Sequence, residues 1–260
     1  MSAKPDLSVI VTFHREGLLA HPTLVSIDRA IKRATRDGYT CEVIFTLDRP
    51  DDLTREIVGR WQAVGARAMK LDFGDLGRVR NAAINDACGK FVAIMDGDDL
   101  YMSNWLSSGL AMALAHPGRF AWRPELVLSF GRFASIWRPS EIDITAGALK
   151  LAAVNLWPAC CIIGRELALS IPYPAIDNKN PFEDWAWNIA LQEAGVMMRI
   201  VPGAGYAYRV KRQGSLLANS SNWPSGRVPT RFFRRLLEER IARDKLHPAL
   251  ASGANAPHAK

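Results

Sequence analysis

Short apolar runs alternate with segments of helical periodicity along the first hundred residues. The apolar runs predict four strands, at residues 7–12, 42–47, 68–71 and 91–95. The segments between them place apolar side chains three or four positions apart and predict helices, at residues 23–37, 54–65 and 79–88. This order of elements predicts an α/β fold with a mainly parallel, doubly wound central sheet flanked by helices.

The second half of the chain is less regular. Apolar spacing predicts helices at residues 103–115 and 182–194 and strands at residues 126–133 and 196–201, and residues 158–164 form another apolar segment. Gly38 and Gly195 each follow a predicted helix, and each is expected to end it. The last ten residues, 251–260, have the composition of a frayed tail.

The composition of the 260-residue chain is that of an ordinary globular protein. No segment reaches the roughly 18 apolar residues that cross a bilayer, and the N-terminus lacks the apolar region of a signal peptide. These features predict a cytosolic protein, or one held on the cytosolic face of a membrane. Four cysteines without a CxxC spacing indicate neither a zinc site nor a disulfide framework.

The chain is basic, with a net charge of +7, which favours polyanionic partners such as nucleotides or anionic lipid. The excess is strongest in the last quarter, where residues 231–241 form a candidate amphipathic helix. One interpretation is a helix packed on the main domain, and the other is docking to anionic lipid of the inner leaflet. No nucleic-acid-binding motif accompanies the charge, which argues against a nucleic acid partner.

The acidic run Asp96-Gly97-Asp98-Asp99 directly follows the apolar run at 91–95. Three carboxylates this close repel one another, and a divalent cation is the natural partner, because Mg²⁺ and Mn²⁺ prefer oxygen ligands and bind together with substrate phosphates. In open α/β sheets, ligands bind beyond the carboxyl ends of the strands, where this run lies. The plainer interpretation is a solvated acidic turn.

Three other positions carry residues that a nucleotide site needs. Asp48 ends the second predicted strand and can accept hydrogen bonds from a base or ribose, although its neighbours also suit an N-capping cluster. Arg80 lies near the start of a predicted helix, where anions are favoured and an arginine adds a bidentate phosphate contact. Glu183 and Asp184 begin a helix that bears two indoles, and vicinal carboxylates in such surroundings can have the raised pKa of a general base. Alone, that pair is more typical of a helix-dipole interaction.

Taken together, these motifs resemble the family 2 inverting glycosyltransferases, which have a GT-A fold. The resemblance extends from about residue 7 to residue 215. The matching stretches are 8–16 (SVIVTFHRE), 47–54 (LDRPDDLT), 77–83 (GRVRNAA), 87–92 (ACGKFV) with the acidic run 96–99, and 183–187 (EDWAW).

The resemblance implies a role for each matching residue. Asp48 would bind the base beside a nucleotide loop that contains Thr12, Phe13, His14 and Glu16. The donor would be held by Arg80 and Asn81. Asp96 would contact ribose or donor sugar, and Asp98 would coordinate Mg²⁺ or Mn²⁺ on the diphosphate, supported by Asp96 and Asp99. Asp184 would be the general base, with Glu183 orienting the acceptor.

One departure concerns the metal. Members of the family often carry a histidine after a Tyr-Arg pair near the end of the catalytic domain, and that histidine can bind metal. The stretch 208–215 (YRVKRQGS) has the pair but no histidine. Direct contact of Lys211 or Arg212 with the diphosphate is the hypothesis that follows.

These observations predict a catalytic domain over residues 1–220 and a basic C-terminal helical extension over 221–260. Within the domain, residues 1–100 would bind the nucleotide and 101–220 the acceptor. The predicted activity is metal-dependent, inverting sugar transfer from a nucleoside-diphosphate sugar, with UDP favoured, to a glycan or lipid-linked acceptor in surface polysaccharide synthesis. A sugar nucleotidyltransferase is the first alternative, disfavoured by a single glycine in the loop after the first strand. A non-catalytic nucleotide-sugar-binding module is the second.

Overall fold

The computed structural model describes residues 4–62, 65–139, 141, 151, 154–175 and 182–211, together with the single positions 235, 238, 239, 242 and 245. Within these residues, nine strands form one sheet. The strands are β1 (Leu7–Phe13), β2 (Cys41–Asp48), β3 (Arg67–Leu71), β4 (Phe91–Asp96), β5 (Leu100–Tyr101), β6 (Phe120–Gly131), β7 (Ser135–Trp137), β8 (Cys161–Gly164) and β9 (Met197–Val210). The helices are α1 (Ala20–Arg36), α2 (Asp52–Gln62), α3 (Leu76–Asp86), α4 (Trp105–Ala115), α5 (Arg165–Ser170) and α6 (Glu183–Glu193), and a 3-10 turn spans Gly17–Leu19.

The sheet has the strand order β3-β2-β1-β4-β8-β6-β9-β5, with β7 paired to β6. The first four strands are all parallel, as alternation of strands and helices predicts. Beyond β4 the sheet is mixed, because β8 runs antiparallel to both β4 and β6 while β9 runs parallel to β6. The predicted α/β fold is confirmed, and its parallel part is the half predicted to bind a nucleotide.

The sheet is covered on both faces, so most residues of its central strands β1, β4 and β8 are buried. All seven residues of β1 are buried. Val9 and Val11 pack in a core that contains residues of α1 and α4, whereas Ile10 faces a second core with residues of α3 and α6. In α1, the buried side chains Leu24 and Ile27 continue the three-to-four-residue spacing on which the helix was predicted.

Two strands are much longer than the sequence indicates. β6 begins at Phe120 rather than at residue 126, and β9 continues to Val210 rather than ending at 201. The two strands pair along their whole length through an irregularity between Pro124 and Leu126. The irregularity lies where β6 carries Pro124 and β9 carries Pro202 and Gly203, and a β-bulge accommodates such residues inside a paired strand.

The strand β8 occupies the second half of the apolar segment at 158–164. It begins at Cys161, and the backbone carbonyls of residues 158–160 before it accept hydrogen bonds from the Arg123 guanidinium. The short elements β5, β7 and α5 were not predicted, since two to six residues carry too little periodicity.

The predicted C-terminal helix at 231–241 and the tail at 251–260 lie outside the described residues, apart from single positions. One of these, Arg235, forms an exposed ion pair with Glu193 of α6, the kind of contact that packing on the main domain would give. The division at residue 220 stays a prediction. Among the described residues, no helix combines the length and apolarity that a membrane crossing requires.

We expect Gly89→Ala to destabilise the fold by about 1–3 kcal/mol. Gly89 precedes β4 and lies against β1, where a Cβ atom would stand 2.6 Å from both the amide nitrogen and the hydroxyl of Ser8. The backbone of Ser8 cannot retreat without disturbing the sheet.

The matched control is Gly59→Ala in α2, where a Cβ atom would meet nothing within 4 Å. There, helix propensity predicts a gain of about 0.5–1 kcal/mol. Urea unfolding measures both variants, and a shift of the same sign in the two midpoints would contradict the proposed close approach.

Candidate functional site

A cavity of about 390 Å³ opens at the carboxyl ends of β1, β2 and β4. Thr12 of β1 lies opposite Asp96 of β4 in the strand register, and Asp48 is the last residue of β2. Most of the residues predicted from the sequence line this cavity, namely Thr12, Phe13, His14, Glu16, Asp48, Arg80, Asp96, Asp98, Glu183 and Asp184. The structure therefore brings together motifs that are up to 172 positions apart in the chain (Thr12 to Asp184).

The centre of the cavity wall is the buried guanidinium of Arg80. Its Nη2 donates to Asp96 Oδ1 at 2.7 Å and its Nη1 donates to Glu183 Oε1 at 2.9 Å. The side chain is 1% exposed, and its charged end lies over the Tyr173 ring. Burial lowers the pKa of Arg80, but Asp96, Tyr173 and Glu183 raise it by more, so the group stays charged. One cation therefore joins α3, β4 and α6.

The first turn of α3 sets the position of Arg80. Asp75 caps the helix, since its carboxylate accepts the backbone N–H of Arg78 at 2.9 Å. Arg80 then shares the buried face of α3 with Ala83 and Ile84, three and four positions on. An arginine on the apolar face of a helix requires partners below it, and the two carboxylates supply them.

The turn after β4 is held in place by backbone contacts. Thr12 Oγ1 donates to Asp96 Oδ1 at 3.1 Å, and the Gly97 N–H donates to the Thr12 carbonyl at 2.9 Å. A Cβ atom on Gly97 would lie 2.3 Å from the Phe13 ring, so only glycine fits there. The Tyr101 hydroxyl accepts the Asp96 N–H and donates to the Asp96 carbonyl. Asp96 and Asp98 thus have fixed directions at the cavity.

The second acidic residue of the turn, Asp98, is paired with a lysine. Lys211 Nζ lies 2.6 Å from Asp98 Oδ2, with the two side chains 17% and 19% exposed. Burial raises the pKa of Asp98, Lys211 lowers it and Asp96 raises it, and the net direction is upward. Nearby, burial raises the pKa of Glu16 to about 7.

These contacts do not fit a preformed divalent metal site. Asp96 Oδ1 accepts from both Arg80 and Thr12, Asp98 is paired with Lys211, and Asp99 turns away from the cavity. In the part of the chain that the structure describes, no three His, Cys, Asp or Glu side chains are grouped so as to hold a metal ion. The predicted Mn²⁺ or Mg²⁺ cofactor stays a prediction, and the structure places an ammonium beside its principal ligand.

Asp48 has a local structural partner as well as a place in the cavity. Its two carboxylate oxygens accept the N–H groups of Phe73 and Gly74, at 2.7 and 2.9 Å, and so hold the loop before α3. The ring Nδ1 of His14 contacts the Asp48 carbonyl. The N-capping contact expected in this loop comes from Asp51, whose carboxylate accepts the Thr54 N–H at 2.7 Å.

The adjacent acids at the start of α6 have different partners. Glu183 is bound to Arg80, and burial raises its pKa to about 7, although Arg80 lowers it. Burial also raises the pKa of Asp184, whose Oδ2 accepts from the Asn155 amide at 2.9 Å and whose Oδ1 accepts the Trp185 N–H. Glu183 is thus paired with an arginine, whereas Asp184 lines the cavity and, among the described residues, accepts hydrogen bonds from neutral donors.

Sequence reasoning missed the polar chain that ends on Asp184. Arg123 Nη2 donates to Asn188 Oδ1 at 2.6 Å, Asn188 donates to Asn155 at 3.0 Å, and Asn155 donates to Asp184. Arg123 is fully buried. The available signal was an arginine in the apolar stretch that begins at Phe120, since a buried charge requires partners.

Two of the predicted residues that the structure describes, Asn81 and Asp99, are not among the residues that line the cavity. Both amide atoms of Asn81 bind the backbone of Tyr173, at 3.0 and 2.9 Å. Asp99 is 2% exposed, and its carboxylate accepts the Arg209 N–H of β9 at 2.7 Å. Both side chains thus have structural partners, and their predicted roles toward donor and metal stay predictions. A third predicted residue, Arg212, lies outside the described residues, and its role also stays a prediction.

Comparison with known proteins identifies a family. A family model described as "Glycosyl transferase family 2" matches residues 8–142, slightly more than half of the chain. The matched range contains β1, the acidic turn after β4 and Arg80. None of the curated proteins searched matches the chain.

Solved structures share the fold at low identity. S. aureus TarS 1–349 with UDP-GlcNAc has a TM-score of 0.65 at 16% identity, over 92% of this chain and 72% of that chain. Mannosyltransferase PcManGT from Pyrobaculum calidifontis with GDP-Man and Mn²⁺ has a TM-score of 0.61 at 19% identity, over 98% and 77%. In two further TarS structures, this chain covers only 60% and 43% of that chain's length. These likenesses show the fold, and with the family match they confirm the predicted GT-A fold.

Arg80→Met is expected to destabilise the fold by about 3–5 kcal/mol, because it leaves Asp96 and Glu183 without the cation that compensates their burial. Arg78→Met is the matched control on the same helix. Arg78 is exposed and stacks on Phe73, and its loss should cost less than about 1 kcal/mol. Urea unfolding at neutral pH measures both, and equal losses would show that the buried pair does not hold the site together.

Proposed function

The chain belongs to glycosyl transferase family 2, and we propose that it is an inverting glycosyltransferase of the hexosyltransferase type. The donor would be a nucleoside-diphosphate sugar and the acceptor a hydroxyl group. The observation that carries the proposal is the meeting of Asp48, Arg80, Asp96 and Asp184 in one cavity at the carboxyl ends of the parallel strands.

The nucleotide is proposed to lie on the β1 and β2 side of the cavity. Asp48 and the loop with His14 and Glu16 line that side, and they offer acceptors and a ring for a base and ribose. Asp96 would meet the ribose or the donor sugar, with its orientation fixed by Arg80. UDP is the first candidate and GDP the second, since TarS binds UDP-GlcNAc and PcManGT binds GDP-Man.

Asp184 is the proposed general base. It would remove the proton of the acceptor hydroxyl while the oxygen attacks the anomeric carbon, and the bond from that carbon to the diphosphate oxygen would break on the opposite face. The leaving nucleoside diphosphate keeps the bonding electron pair, and the configuration is inverted. The raised pKa of Asp184 supports this role, because a more basic carboxylate takes up the proton more readily.

The acceptor is proposed to be a glycan or a lipid-linked sugar, in surface polysaccharide synthesis, as the resemblance implies. Peripheral docking of the basic C-terminal segment on an anionic membrane belongs to the same proposal. The proposal includes no divalent ion, because Lys211 already pairs with Asp98. In contrast, the structures of PcManGT and GalNAc-T7 contain Mn²⁺.

The test is transfer or hydrolysis with UDP-GlcNAc, UDP-glucose and GDP-mannose as donors. Asp184→Asn should lower kcat by about 10²–10⁴-fold, the usual effect of a general base, while the affinity for nucleoside diphosphate stays measurable. Asp28→Asn on the exposed side of α1 is the control and should keep full activity. Retention of the anomeric configuration, or formation of nucleotide sugar from a nucleoside triphosphate and a sugar phosphate, would contradict the proposal.

Asn155→Ala should move the acidic limb of the pH–rate profile upward by about one pH unit. The base works when deprotonated, so the rate rises with pH through the pKa of Asp184. The Asn155 amide stabilises the charged carboxylate and lowers that pKa, and its removal raises it.

The loss of rate should therefore be larger at low pH than at high pH. Asn104→Ala is the matched control, because Asn104 donates to the Gly203 carbonyl and is not among the residues that line the cavity. A uniform loss at all pH values would assign Asn155 a purely structural role.

A further inference from the structure

One cation in the cavity wall has no role in the scheme above. Lys211 follows β9, and its Nζ lies 2.6 Å from Asp98 Oδ2 at the open side of the acidic turn. Both residues line the cavity. The lysine side chain is 17% exposed, so its ammonium is held against the turn and not extended into water.

Contact with Asp98 fixes the position of the Lys211 ammonium. A lysine ammonium is ordinarily protonated at neutral pH. Asp98 in turn is oriented by β9, because Arg209 Nε donates to the Asp98 carbonyl at 2.8 Å. The ammonium is therefore a fixed positive charge at neutral pH.

Among the described residues, two arginines also line the cavity, Arg209 and Arg80. Arg209 holds the Asp98 carbonyl through Nε, and its guanidinium lies over the Phe130 ring. Arg80 donates from Nη1 to Glu183 and from Nη2 to Asp96, so its positive charge already compensates two carboxylates. An incoming diphosphate adds at least two negative charges to a wall that also contains Asp48 and Asp184. A further cation must face it, since unpaired charges in a partly buried site are costly.

We propose that the Lys211 ammonium, rather than a divalent ion held by the protein, neutralises the diphosphate of the bound donor. This inference rests on the proposed function, because it requires a nucleoside diphosphate in the cavity. An ammonium has three N–H donors. Asp98 holds one in place, and the others are available to phosphate oxygens. As the bond to the anomeric carbon breaks, the same charge faces the oxygen on which negative charge develops.

The position of Lys211 also opposes a metal ion on Asp98. A divalent ion binds carboxylate oxygen at about 2.1 Å for Mg²⁺, and the ammonium lies 2.6 Å from an oxygen of that same carboxylate. The two cations would repel each other across one carboxylate. Ion and lysine are therefore alternatives at this place, and the residues present favour the lysine.

The test is binding of UDP and GDP to the full chain by calorimetry, first in EDTA and then in Mn²⁺. Binding of one nucleotide in EDTA, with an affinity that Mn²⁺ changes less than about threefold, is the expected result. Lys211→Met should weaken that binding at least about tenfold, as loss of a charge-assisted contact does. Lys90→Met, at an exposed lysine near Asp6, is the matched control and should bind like the unmodified chain.

The variant Asp98→Asn distinguishes best between the Lys211 ammonium and a metal ion as the cation that faces the diphosphate. If Lys211 is the cation, removal of the competing carboxylate frees the ammonium, and nucleotide binding in EDTA becomes tighter. If a metal ion on Asp98 is the cation, the same variant loses binding in Mn²⁺. Thermal unfolding of each variant without nucleotide shows whether it is folded. If Lys211→Met does not fold, the double variant Lys211→Met with Asp98→Asn, which removes both charges together, is measured in its place.

The outcomes distinguish this inference from the proposed function. Binding that occurs only with Mn²⁺ or Mg²⁺, or that survives Lys211→Met unchanged in EDTA, overturns the role of Lys211 and leaves the glycosyltransferase proposal standing. Binding of neither nucleotide under either condition overturns both.

Discussion

The buried guanidinium of Arg80 is the interaction on which the site depends. Arg80 donates to Asp96 at the end of β4 and to Glu183 at the start of α6, residues that are 16 and 103 positions away in the chain. Its burial is tolerable only while both carboxylates stay in place, because an unpaired charge at 1% exposure is costly. The parallel half of the sheet and the helix that bears the proposed base are therefore held at one distance by a single side chain.

In each of two acidic pairs, Asp96 with Asp98 and Glu183 with Asp184, one carboxylate binds Arg80 and the other does not. Arg80 donates to Asp96 and to Glu183, whereas Asp98 and Asp184 have other partners. Lys211 pairs with Asp98, whereas among the described residues the hydrogen bonds to the Asp184 carboxylate come from Asn155 and a backbone N–H. Asp184 combines a raised pKa and a place in the cavity wall with neutral hydrogen-bond donors, which suits the proposed general base.

The sequence predicts the parts of this structure that depend on local pattern. β1 and β4 are visible as apolar runs. Gly38, which has a positive φ, follows the end of the first helix as the sequence predicts. Pairing of β6 with β9 joins segments about 80 positions apart, and no local pattern reveals it. Likewise, an asparagine at position 81 or an aspartate at position 99 does not by itself reveal the direction of its side chain. Asp98 faces the cavity, while the next residue turns toward β9.

The cation proposed to face the diphosphate lies outside the residues that the family model matches. The match covers residues 8–142, which include Asp96 and Asp98 but not Lys211. An acidic turn after a parallel strand indicates that a cation faces it, and it does not specify which one. In the proposal above, that choice belongs to the segment after β9, where a single residue can change without disturbing the sheet. Sequence motifs of the turn alone predict metal dependence, and the residue that opposes it lies more than 110 positions later.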